Sequence, residues 1–75
     1  MISDSQLSIA FREQFDLSQE KAAELLGVAM MTVSRWEREV FAMPFMTRVG
    51  LLRFRELSLD QIQEIVMRGK KSIDR

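Results

Sequence analysis

Seventy-five residues allow one domain, spanning 1–75, and a chain this short buries only about 60% of its unfolded surface, so the core is modest. The 47% hydrophobic and 29% charged content is that of a globular chain, while eleven basic and eleven acidic residues cancel, leaving no basic excess to advertise phosphate contacts. With no cysteine, histidine or tyrosine, disulfides, the common metal sets and the usual nucleophile–base pairs are excluded; neither a metal, a cofactor nor an enzyme is expected. No apolar run approaches the roughly 18 residues needed to span a bilayer, and Asp4, Arg12 and Glu13 interrupt any signal-like stretch, so a cytoplasmic protein is the default.

In chain order, residues 1–4 read as a short frayed start. Asp4 or Ser5 can cap a first helix running to about Phe15, with Leu7, Ile9, Ala10, Phe11 and Phe15 as its apolar surface. Ser18 is a good N-cap for a second helix, which continues through Leu26 with Ala23 small enough to let a neighbour approach. Gly27 then stands where a helix ends in a left-handed residue that a side chain would penalise. Val28 and Ala29 complete the corner, Ala29 being a poor N-cap, and a third helix runs from Met30 to Arg38. Two short helices across a glycine-containing turn predict a helix-turn-helix over 18–38. At 100° per residue Val33 and Trp36 face inward, and Met30, Met31, Ser34 and Arg35 share the other side. An exposed methionine pair suggests that something docks there.

Downstream, Pro44 suits the first turn of a fourth helix, expected from Phe45 to Glu56 with a core stripe of Phe45, Met46, Val49 and Leu52. Gly50 in its interior implies a close helix contact. Ser58 with Gln61 forms a capping box for a fifth helix, expected over 58–69 and ended by Gly69. Its stripe of Leu59, Ile62, Ile65 and Val66 reads as core or as a dimer seam. Lys70 to Arg75 reads as a solvated tail.

The segment LSQEKAAELLGVAMMTVSRWE, Leu17 to Glu37, resembles the DNA-binding domain of the Cro/C1 phage-repressor family, also called the XRE type. The matching positions are Leu17, Ser18, Gln19, Ala23, Leu26, Gly27, Val28, Val33, Trp36 and Glu37, with a weaker likeness across most of 5–57. The resemblance implies an all-α, five-helix repressor-like domain acting as a transcriptional regulator on double-stranded operator DNA. It further implies base contacts from Met30, Met31, Thr32 and Arg35, and phosphate contacts from Gln19, Ser34 and Arg38. It also implies an ion pair between Arg12 and Glu37. Such domains usually work as homodimeric repressors, often in prophages or as antitoxin-like regulators.

The segment after Glu37 departs from the pattern. Val40, Phe41, Ala42 and Met43 stand where basic residues would grip the DNA backbone, and Lys21 and Arg48 are the further basic candidates. Phe41, Met43, Phe45 and Met46 exceed what so small a core can bury, so some of them are assigned to a dimer or partner surface. The rival to a DNA reader is the same fold docking a protein partner through that apolar surface.

Overall fold

The computed structural model describes residues 2–73, with side chains described through Arg68. The five helices are α1 (Asp4–Phe15), α2 (Gln19–Leu26), α3 (Met30–Glu37), α4 (Phe45–Leu51) and α5 (Leu59–Ile73). There is no strand among the described residues, so the all-α class holds. α2 packs on α3, α1 bridges α3 and α4, and α5 closes the core against α4 and α2. Leu7, Phe11, Leu26, Val33, Trp36, Leu51, Ile62 and Val66 fill the centre.

Each boundary has a local cause. Ser3 starts α1, its hydroxyl accepting from the Gln6 amide while the Gln6 side chain accepts from the Ser3 amide. The cap is therefore one residue before Asp4 and two before Ser5. Asp4 has other work: its carboxylate accepts from the Met43 amide at 2.9 Å and from Arg48 at 2.6 Å. Ser18 caps α2 by accepting from the Lys21 amide. Gly27 ends it at φ 69°, and the Val28 amide closes back on the Ala23 carbonyl. Ala29 contributes no side-chain bond to the start of α3. Ser58 and Gln61 exchange both bonds of a capping box at the start of α5.

The C-terminal half corrects three expectations. α4 ends at Leu51 rather than Glu56, residues 52–56 being a turn. Its inward side is Thr47, Gly50 and Leu51; Phe45, Met46 and Leu52 face solvent and Val49 is half-buried. The expected core stripe is thus mostly the outer face. Helix α5 passes through Gly69 and runs to Ile73, so residues 70–73 are helical, and 74–75 lie outside the described residues. Gly50 does mark a close contact: a Cβ there would meet a Val66 methyl at 3.2 Å and the Ile62 carbonyl oxygen at 3.5 Å. Ile62 and Val66 are buried, so this part of the α5 stripe is core.

Candidate nucleic-acid interface

The site is built on α3. Val33 and Trp36 are wholly buried, and they anchor the helix inward while its opposite side stays open. Met30 and Met31 are each about half exposed, Arg35 is exposed, and Thr32 and Ser34 are half-buried. Arg35 takes part in none of the ion pairs among the described residues. The Trp36 indole N–H is the one buried side-chain polar atom among the described residues without a hydrogen-bond partner.

What fixes the orientation of α3 is its last residue. Glu37 accepts four side-chain hydrogen bonds: Arg12 Nε and Ser8 Oγ on Oε2, each at 2.7 Å, with Arg12 Nη2 (2.7 Å) and Gln19 Nε2 (3.0 Å) on Oε1. Ser5 adds a bond to the Glu37 backbone carbonyl at 2.7 Å, and Arg12 Nη1 reaches the Leu17 carbonyl at 3.1 Å. One carboxylate therefore joins α1, α2 and α3. Burial alone would push its pKa up, but the bonds from Arg12, Ser8 and Gln19 and the charge of Arg12 outweigh this and hold it below the ordinary 4.5. Arg12 is held above its ordinary value, chiefly by its hydrogen bonds to Glu37.

The expected Arg12–Glu37 pair is present. Ser5 and Ser8 were missed, although Ser5, Ser8 and Arg12 fall at i, i+3 and i+7 on one face of α1, a signal the sequence carries. Gln19, expected to contact phosphate, donates its amide to Glu37 at 3.0 Å. Of the basic candidates, Arg48 is tied to Asp4 and to the Ile2 carbonyl, while Lys21 lies near Glu24 at 3.6 Å. Arg38 is exposed at the C-cap of α3. Of the four residues assigned to a dimer or partner surface, Phe41, Phe45 and Met46 are exposed. Met43 is not: at 6% exposure it belongs to the core, drawn in where Asp4 accepts its amide proton. Val40 and Leu52 are further exposed apolar residues of that surface.

Two packed helices meeting at a left-handed glycine, the second presenting an open outer face, define a helix-turn-helix. Residues 9–44 match the helix-turn-helix family model, of the XRE, Cro/C1 type. The match supports a DNA-binding regulator of the XRE type. No curated protein and no solved structure gives a significant match. Among the described residues no helix is long and apolar enough to cross a membrane, and no three potential metal ligands cluster.

Proposed function

We propose that the chain is a dimeric, sequence-specific repressor that lays α3 in the major groove of an operator. The observation that carries this reading is the outer face of α3, where Arg35 stands exposed and outside the ion pairs of the described residues, beside the half-exposed Met30 and Met31. A guanidinium can bond O6 and N7 of guanine together, and the methionines suit thymine methyl groups. Thr32 completes the base-facing set. Ser34 and Arg38 flank it as phosphate contacts, and Gln19, carried on the α2 start, is the third. The Glu37 network supports the reading because it holds the reading helix rigidly on α1 and α2. A two-fold dimer would meet half-sites about 34 Å apart, one duplex turn.

The test is selection of bound duplexes from a random pool, followed by anisotropy titration of the selected site over a range of salt. Recovery of a palindrome whose binding is lost in Arg35→Ala supports the proposal. Because Val40, Phe41 and Ala42 replace the basic residues usual after Glu37, the salt dependence should be shallow for this family. A protein that selects no sequence at low salt would remove the operator reading and leave the fold as a scaffold for a protein partner.

A further inference from the structure

The side chains of this protein that answer to a mild oxidant are its methionines. There is no cysteine, histidine or tyrosine, and the single tryptophan, Trp36, is wholly buried. Among the described methionines the exposure is uneven. Met30 and Met31 are the most open, at 50% and 51%; Met46 follows at 39%, Met67 is half-buried, and Met43, at 6%, lies in the core. The two most open methionines are therefore neighbours, side by side at the start of α3. Val33 and Trp36 anchor that helix, so neither Met30 nor Met31 is needed by the core. Met31 and Arg35 stand at i and i+4, one above the other on the same face. A helical side chain leans over the turn that precedes it, which brings the Arg35 guanidinium within reach of Met31. A thioether is only a weak acceptor and does not hold it there.

We infer that Met30 and Met31 form an oxidation site at which a peroxide reversibly switches off sequence reading by α3. This rests on the function proposed above and names a regulation of that same site. In the step, the sulfide electron pair attacks one peroxide oxygen and the O–O bond breaks. That oxygen stays on sulfur as a sulfoxide, and the departing hydroxide takes its proton and leaves as water. Sulfur is oxidised by two electrons and the peroxide is reduced by two. No thiolate in the chain competes for the oxidant. Two losses follow at the reading face. A sulfoxide is polar, so seating it against a thymine methyl strips water from an oxygen that finds no partner there. The new oxygen on Met31 is also a strong acceptor one turn before Arg35, and it takes guanidinium donors that would otherwise meet guanine O6 and N7. Neither change alters a charge, so contacts to phosphate are untouched. Oxidation therefore erases sequence preference while leaving non-specific binding in place. The fold survives it, because Met43 is shielded in the core. Enzymatic reduction of the sulfoxides returns the thioethers and reopens the face.

Hydrogen peroxide added to the full chain, followed by tryptic mapping in a mass spectrometer, ranks the methionines without DNA. Residues 22–35 carry Met30 and Met31 alone, 39–48 carry Met43 and Met46, and 56–68 carry Met67. Met30 and Met31 should gain oxygen fastest and Met43 slowest, with an unchanged far-ultraviolet circular dichroism spectrum. Once the 22–35 peptide is fully oxidised, binding to the selected duplex should be weaker by roughly tenfold or more. Binding to unrelated DNA and the slope of log K against log salt should not move. The two methionine sulfoxide reductases, one for each sulfoxide epimer, should restore the affinity. The double variant Met30→Leu with Met31→Leu, whatever its own affinity, should bind alike before and after peroxide. Equal affinity of reduced and oxidised wild type overturns the inference, as does an equal loss in the double variant or oxidation of Met43 as fast as Met31. Each of these leaves the operator reading standing. A reduced chain that selects no DNA overturns the operator reading, and the switch with it.

Discussion

The guanidinium of Arg12 holds both carboxylate oxygens of Glu37, Nε on Oε2 and Nη2 on Oε1, each at 2.7 Å. Twenty-five residues apart in sequence, the two bind α1 to the end of α3. Glu37 is the more deeply placed, its side chain 8% exposed against 22% for Arg12. Removing one partner leaves the other charge uncompensated in a largely dry site, whereas removing both also removes the desolvation burden. Arg12→Met should therefore destabilise the domain by about 2–4 kcal/mol. The double variant Arg12→Met with Glu37→Leu should fall short of the summed single effects by at least about 1 kcal/mol. Urea unfolding followed by circular dichroism measures all three. Additive effects would mean the pair is not coupled.

The same carboxylate sets an acid limit. Its pKa is depressed in the folded state, so its stabilising contribution is fully present above the unfolded value of 4.5 and is lost as the pH falls through the folded value. Stability attributable to Glu37 should be level from pH 5 to 8, where the chain has no histidine to titrate, and should decline below about pH 4.5. Glu37→Gln should be less stable at neutral pH and show a flatter acid limb. Unfolding midpoints in urea across pH 3–7 give the comparison, and parallel curves for the two proteins would remove Glu37 as the cause.

Glu39 carries a different strain. After α3 the chain turns back through Glu39 at φ 59°, with the Val40 amide bonded to the Arg35 carbonyl at 3.0 Å. A side chain in this left-handed region costs roughly 1–2 kcal/mol, part of which glycine recovers against its own larger loss of backbone freedom. Glu39→Gly should raise stability by about 0.5–1 kcal/mol, a rise of several degrees in Tm for a domain of this size. Calorimetry at a concentration where the chain is monomeric checks this.

How far the sequence discloses this molecule depends on the range of the interaction concerned. Ser18, Gly27, Ser58 and Gln61 were legible because caps act within one turn, and the chemistry of the residue names the position. Val33 and Trp36 were legible because α3 has polar and apolar sides. Helix α4 was not. Phe45, Met46, Val49 and Leu52 form as good an apolar stripe as Leu51 does with Thr47 and Gly50, and periodicity cannot rank two apolar faces on one helix. What decided between them was the fit of Gly50 against Val66, a contact made across sixteen positions of sequence. The burial of Met43 was hidden for a similar reason, because it depends on Asp4, thirty-nine residues earlier. The Arg12–Glu37 pair came from the family resemblance; the serines that complete it would have followed from the face they share with Arg12.

Arg35 and Arg38 lie one turn apart on the same side of α3 and beyond, yet they should fail differently when removed. Arg35 is exposed on the outer face beside the methionines, where a fork of two donors would meet one guanine edge. Arg35→Ala should weaken binding to the selected site by about 1–3 kcal/mol while hardly changing binding to unrelated DNA, so sequence preference collapses at one base pair. Arg35→Lys should not rescue it, because an ammonium cannot bond O6 and N7 with the same planar geometry. Arg38, at the C-cap, is the proposed phosphate contact, and such a contact would carry no base information. Arg38→Ala should weaken binding to selected and unrelated duplexes alike, and lower the slope of log K against log salt by about one. Anisotropy titrations of both variants on both duplexes, at several salt concentrations, separate the two roles. If Arg35→Ala lost affinity equally on both duplexes, Arg35 would be a backbone contact, and the base reading would pass to Met30, Met31 and Thr32.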